Sequence, residues 1–310
     1  MMKIVYAGAP EFSVAPLQSL MDAGFCAVAV VTQPDKPFGR KAVLTPTPLK
    51  KYAEGAGIPV YDFPKIRDHA AELRALGADV MVTCAYGQLL TQEVLDAFPQ
   101  GVYNIHASLL PRWRGASPIQ HAILAGDERT GVTVMKTALG LDTGDMLVSR
   151  EVPISSQDTA GTLSEKLSAV GASCICEALQ LLEKGQAVFV KQDEERATFC
   201  RKIKKEDCLV DFMRPAKEIC NLIRAMDPAP LAYAFLGGKL ANFCFAEPCE
   251  EKGDAGTVIR ADKTGIYVAA GSGCVKITQM QLEGGKRMRA ADFVNGRKIA
   301  VGDRFTGEKV

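Results

Sequence analysis

Asn104 and His106 stand one residue apart in Gly101 to Ser108 (GVYNIHAS), a stretch whose apolar, β-branched and aromatic content predicts a strand. On a strand, residues i and i+2 project from the same face, so the amide and the imidazole would stand together. They would do so near the strand's carboxyl end, where open α/β sheets hold their ligands. A lone histidine is usually structural, but His106 leads into Leu109-Leu110-Pro111-Arg112-Trp113-Arg114-Gly115. That loop holds the chain's only tryptophan, two arginines and a glycine ahead of a new helix, a composition costly to keep as a mere connector. Gly140-Leu141-Asp142-Thr143-Gly144-Asp145 lies between two further predicted strands. Asp and Gly form turns readily, and the same acids could offer a carboxylate to orient or charge the histidine. The residues alone leave both readings open.

The elements that must position these groups are legible as alternation. Short apolar runs at Lys3 to Gly8, Ala27 to Thr32, Val60 to Phe63, Asp79 to Tyr86 and Gly101 to Ser108 are interleaved with helical patterns near Phe12 to Ala23, Pro48 to Ala56, Asp68 to Leu76 and Ser117 to Ala125. Thr130 to Lys136 and Asp145 to Val152 add two strands, and Thr159 to Glu183 reads as one long helix. The expected class is therefore α/β, with a mostly parallel, Rossmann-like sheet covered by helices on both faces. After Gly185 the pattern changes to strand-length pieces and turns with one helix at Ala216 to Met226, and Gly256 to Gly284 reads as a small OB-like β-barrel. We expect a first domain at residues 1–192, a charged linker at 193–204 and a second domain at 205–310.

Composition narrows the function classes. The 310 residues carry a formal net charge of +1, but the charge is segregated: 18 Lys+Arg against 22 Asp+Glu in residues 1–200, and 19 against 14 in residues 201–310. A basic surplus in the second domain is compatible with a nucleic-acid partner. No apolar run approaches the roughly 20 residues needed to span a bilayer, and Met1-Met2-Lys3 leads straight into a strand, so a cytoplasmic protein without membrane attachment is expected. Ten cysteines lack the C-x2-C spacing of a zinc ligand set and read as buried free thiols; no metal is expected. Gly8-Ala9-Pro10-Glu11 follows the first strand where a dinucleotide fold would carry its glycines, and Pro10 and Glu11 argue against a nucleotide there.

The strings AGAPEF, TQPDKPFGR, DVMVTCAYG, NIHASLLPRWRGASPIQ, GVTVMK, GLDTGDML and DTAGTLSEKL resemble, in order and spacing, those of the folate-dependent formyltransferase family. Within it they are most similar to the members that act on methionyl-tRNA, and the resemblance covers nearly the full length. It implies transfer of a formyl group from 10-formyltetrahydrofolate, a co-substrate and not a tightly bound cofactor, to methionyl-initiator tRNA, by a protein expected to be a monomer. By the same resemblance Asn104, His106 and Asp142 match the family's catalytic trio, and Ser108, Leu109, Leu110 and Pro111 would line the folate site. Lys36, Arg40 and Lys41, in the proline-rich loop Gln33 to Lys51, match a loop with which the family enters the acceptor stem. Lys202, Lys204 and Lys205, with Lys286, Arg287 and Arg289, could form a phosphate track. Asp227-Pro228-Ala229-Pro230 departs from the family's Asn-Pro-x-Pro.

Overall fold

Strands that are apolar at nearly every position belong in the middle of a sheet covered on both faces, and Lys3–Gly8, buried at every residue after Lys3, takes that place. The computed structural model describes residues 1–39, 42–296 and 298–308. In chain order the elements of the first part are β1 (Lys3–Gly8), α1 (Val14–Asp22), β2 (Cys26–Val31), β3 (Lys36–Phe38), β4 (Val43–Thr45), α2 (Pro48–Gly55), β5 (Val60–Tyr61), α3 (Ala70–Ala75), β6 (Val80–Cys84), α4 (Gln92–Leu95) and β7 (Val102–His106). They continue with β8 (Arg114–Gly115), α5 (Pro118–Ala125), β9 (Arg129–Lys136), β10 (Met146–Pro153), α6 (Ala160–Glu183) and β11 (Phe199–Cys200).

The main sheet has the order β10-β9-β7-β6-β1-β2-β5. Its five strands from β7 to β5 run parallel, while β9 is antiparallel to both β7 and β10. The mostly parallel sheet expected from the sequence is what forms. Strand order reverses between β1 and β6, so the carboxyl ends of β6 and β7 lie beside the switch point at which such sheets bind ligands. One face buries Val5, Ala7, Ala29, Val31 and Met81 against Ile66, Leu73, Val94 and Phe98. At Gly171 of α6 a Cβ would stand 3.0 Å from Ile105 Cγ2, so the glycine lets α6 approach β7 closely. Because Ile105 turns toward α6, its neighbours Asn104 and His106 turn to the other face. The helix α2 starts where Thr47 Oγ1 accepts from Lys50 N (3.1 Å) and Pro48 occupies the first turn.

The second part contains α7 (Ala216–Met226), β12 (Ala232–Leu236), β13 (Lys239–Cys249), β14 (Val258–Asp262), β15 (Gly265–Ala269), β16 (Cys274–Leu282), β17 (Met288–Arg289), α8 (Ala290–Asn295) and β18 (Phe305–Thr306). Antiparallel pairing runs in the order β14-β15-β16-β13-β12-β18. A bridge between Thr257 and Arg304 joins the two ends of that path, and register shifts at Phe243 to Ala246 bend β13, so the sheet curls on itself. Phe212, Phe243 and Phe305 fill its interior. The small OB-like β-barrel expected from the sequence takes the form of this curled antiparallel sheet.

The chain divides into two compact units, one of residues 1–118, 129–153 and 164–201, and another of residues 119–128, 154–163 and 202–310. Periodicity does not reveal that 119–128 and 154–163 cluster with the C-terminal residues. A buried side chain explains the second of these segments: Arg224 donates to Ser155 O (3.0 Å), Asp158 O (2.9 Å) and Asn221 Oδ1 (2.8 Å). Residues 193–201, read from sequence as linker, sit in the first unit with short but regular structure.

Candidate active site

Strand β7 carries Asn104 and His106 to the carboxyl end of the parallel sheet. Thr83, on neighbouring β6 and in register with Asn104, sets the amide: its hydroxyl donates to Asn104 Oδ1 at 2.9 Å, far better than its 3.5 Å alternative at Tyr103 O. With the oxygen occupied, the Nδ2 end is left as the free donor. His106 is almost wholly buried, and its Nε2 lies 2.9 Å from the carbonyl of Trp113. A carbonyl can only accept, so Nε2 carries a proton and the other nitrogen, Nδ1, is the variable one. Nδ1 faces Asp142 Oδ2 at 3.7 Å. That is longer than a hydrogen bond, and the carboxylate attracts the ring only when Nδ1 also carries a proton.

Asp142 adopts φ +50°, a left-handed conformation that Asp tolerates better than most residues. Its Oδ2 accepts from the backbone N–H of Gly115 at 2.8 Å. Residues 113–115 thus touch both partners, Trp113 through its carbonyl and Gly115 through its amide. The Gly140 to Asp145 segment turns, and the turn brings the Asp142 carboxylate to 3.7 Å from the histidine.

Behind this pair lies a network that the sequence does not announce. Arg114, 1% exposed, donates through Nε to Gln192 Oε1 (2.9 Å) and forks onto both oxygens of Glu194 (2.8 Å each). The guanidinium pulls the Glu194 carboxyl below its ordinary range, and the carboxylate in turn raises Arg114. Gln192 spends both protons of its amide on the carbonyls of Asp142 and Gly144, each at 2.8 Å. Thr198 Oγ1 accepts from Trp113 N, and β8 pairs with β11. Arg114 stood in a suspicious loop; Gln192, Glu194 and Thr198 carry no local signal, because their partners lie 48 or more residues away.

The Ser108 to Pro111 turn is anchored more than it is open. Ser108 Oγ donates to Arg112 O, Thr133 Oγ1 donates to Ser108 O, and Leu110 is buried, which leaves Leu109 and Pro111 partly exposed. Lys36 is exposed on β3, in a hairpin that sequence patterning showed only as a stiff loop, whereas Arg40 and Lys41 lie outside the described residues. Lys50, from the same basic loop, is bound at 2.9 Å by both Asp35 and Asp62. In the second unit Lys202, Lys204, Lys205, Lys286, Arg287 and Arg289 are all exposed. Lys204 pairs with Glu206 (3.5 Å), Arg289 with Asp292 (3.8 Å) and Arg287 with the buried Asp227 (2.8 Å). The acid in Asp227-Pro228-Ala229-Pro230 therefore has a partner of its own.

All ten cysteines are free thiols, seven of them buried. Cys249, Glu251 and Cys274 hold potential ligand atoms within 4.8 Å of one another. The Glu251 carboxylate already bonds Arg260. No helix among the described residues is long and apolar enough to cross a membrane.

Comparison with known proteins supplies the chemistry that the geometry leaves unnamed. The family model described as formyl transferase matches residues 2–179, and the one described as formyl transferase, C-terminal domain, matches residues 202–298. A methionyl-tRNA formyltransferase of Coxiella burnetii is 44% identical over 99% of both chains. One of Stutzerimonas stutzeri is 46% identical over 96% of this chain and 95% of its own. Among solved structures, HypX from Aquifex aeolicus in complex with tetrahydrofolic acid superposes with a TM-score of 0.66 at 20% identity, over 97% of this chain and 48% of that one. An N-formyltransferase from Helicobacter canadensis with folinic acid and dTDP-3-aminofucose gives 0.68 at 19% identity, over 89% and 99%. The two structures share the fold.

Proposed function

The chain belongs to the formyl transferase family through both its domains, and from that premise we propose that it moves the formyl group of 10-formyltetrahydrofolate to the α-amino group of methionyl-initiator tRNA. The relatives that span its whole length carry that name. The observation that carries the reading is the meeting of Asn104, His106 and Asp142 at the carboxyl end of β7.

The reaction needs a neutral amine, a place for an oxyanion and a route for one proton. An ordinary α-amino group titrates near 7.7–8.0, and the ester makes this one less basic, so much of it is neutral at cytoplasmic pH. Its lone pair attacks the formyl carbon, and the carbonyl oxygen gains the charge. Asn104 Nδ2, freed by the Thr83 bond to Oδ1, is a donor suited to that oxyanion. As the tetrahedral intermediate forms, the amine loses a proton; as it collapses, the bond to the folate nitrogen breaks and that nitrogen takes one up. His106 Nδ1 is uncommitted at 3.7 Å from Asp142, and the carboxylate stabilises any positive charge on the ring. Ser108 to Pro111 would border the folate. Lys36, Lys202, Lys204, Lys205, Lys286 and Arg289 would meet phosphate, with Arg287 contributing less because Asp227 offsets its charge. We take the protein to act as a cytoplasmic monomer.

The test is formylation by purified protein with 10-formyltetrahydrofolate, comparing initiator and elongator methionyl-tRNA. Transfer to the initiator form, with the elongator form much poorer, is expected. Failure to formylate charged initiator tRNA would overturn the reading.

A further inference from the structure

The geometry points to Gln192 as a positioning residue for the reaction, acting through Asp142; this rests on the catalytic reading of Asp142 given above. The loop that bears Asp142 is closed at its base by Lys136 N donating to Asp145 O (2.9 Å), with Gly144 packed against the Lys136 carbonyl. At its tip, Leu139 and Leu141 are 66% and 55% exposed, so side-chain packing does not fix the backbone around Asp142. Asp142 itself is in the left-handed region, a conformation that persists only when its surroundings impose it. Imposition comes from one amide: Gln192 Nε2 donates to Asp142 O and to Gly144 O, on either side of the peptide pair that must bend.

The amide is itself fixed from behind. Arg114 Nε donates to Gln192 Oε1, which forbids the flipped arrangement because the amide nitrogen cannot accept from a guanidinium. Arg114 is in turn held by the two-oxygen fork of Glu194. The next residue, Gly115, presents its N–H to the Asp142 carboxylate. Backbone and side chain of Asp142 are thus referred to adjacent residues of one segment, and the 3.7 Å relation to His106 follows from that. Gln192 touches no reacting group; its part is to keep the carboxylate where the imidazole needs it.

Gln192→Glu isolates the claim. It preserves size and the acceptor for Arg114 but removes both N–H donors and sets carboxylate oxygens against two carbonyls. We expect kcat to fall on the order of 10- to 100-fold, the loss that follows a misplacement of about 1 Å, with both KM values within about threefold of wild type. Gln192→Met, which removes the donors without adding charge, should give the same split if the first variant folds poorly. The deciding measurement is the pair with Asp142→Asn: on that background Gln192→Glu should change kcat less than about threefold, because the group it positions is gone. A deficient Asp142→Asn enzyme together with wild-type kcat for both Gln192 variants, or with losses that simply multiply, overturns the positioning role alone. Wild-type turnover by Asp142→Asn overturns the catalytic reading of Asp142, and this proposal with it.

Discussion

Replacing Gly115 by alanine should disable the site while leaving its charged groups untouched. An ideal Cβ at this position would stand 2.2 Å from the carbonyl oxygen of Cys200, where separations under 3.0 Å are essentially never seen. Relief therefore needs a movement of about 0.8 Å, and the obstacle is backbone in the β8–β11 pair, which cannot swing aside like a side-chain tip. Gly115 also has φ +121°, which costs an L-residue on the order of 1–3 kcal/mol. The displaced segment includes the Gly115 N–H, 2.8 Å from Asp142 Oδ2, and the Trp113 carbonyl, 2.9 Å from His106 Nε2. Adding most of an ångström to either takes it outside hydrogen-bond range. Misplacement of that size costs about 100-fold in rate, and the strain should lower the thermal midpoint by a few degrees at about 2–4 °C per kcal/mol. Steady-state formyl transfer at saturating substrates and thermal unfolding of the same preparation measure both. A folded Gly115→Ala protein with kcat within threefold of wild type would refute the idea that residues 113–115 set the geometry of His106 and Asp142.

Asn104→Ala should remove about 3–4 kcal/mol of transition-state stabilisation, the usual size for one oxyanion donor, and turnover within threefold of wild type sinks that assignment. Glu194→Gln should lower the thermal midpoint at neutral pH. Because Arg114 depresses the Glu194 carboxyl, its stabilisation is present above the unfolded carboxylate value of about 4.3 and is lost as pH falls through the lower folded value. The gap between variant and wild type should therefore close below about pH 4, and a gap independent of pH would contradict the ion pair's role. Lys36→Ala should reduce the salt dependence of tRNA binding by about one unit of slope, whereas Lys50→Met, with its charge already held by Asp35 and Asp62, should reduce it much less. Equal effects would show that the Lys50 pairing does not persist when tRNA binds.

The parallel sheet was readable because its central strands β1 and β6 are buried on both faces and so almost wholly apolar, and β7 was readable together with the i, i+2 projection of Asn104 and His106. The Asp142 loop was ambiguous for a physical reason: Asp and Gly make turns whatever else they do, and only the structure shows Asp142 3.7 Å from His106. Arg114 was visible as one charge too many in a connector, but nothing local says that it points inward. Gln192 and Thr198 were invisible because a hydrogen bond across 50 or 85 residues leaves no periodicity behind. The same holds for Arg224, whose bonds to Ser155 and Asp158 draw residues 154–163 into the second unit.

The stretch from Gln192 to Cys200 bears on how this protein can be divided. Its charged surface invites a cut there, and a fragment ending at residue 191 would keep Asn104, His106 and Asp142. It would lose the amide behind the Asp142 loop, the carboxylate beneath Arg114 and the strand beside Gly115. A fragment that keeps these contacts has to run through Cys200. For expression, grafting or circular permutation, the contacts behind Asp142 and Arg114 thus reach several residues beyond the point where the recognisable motifs stop.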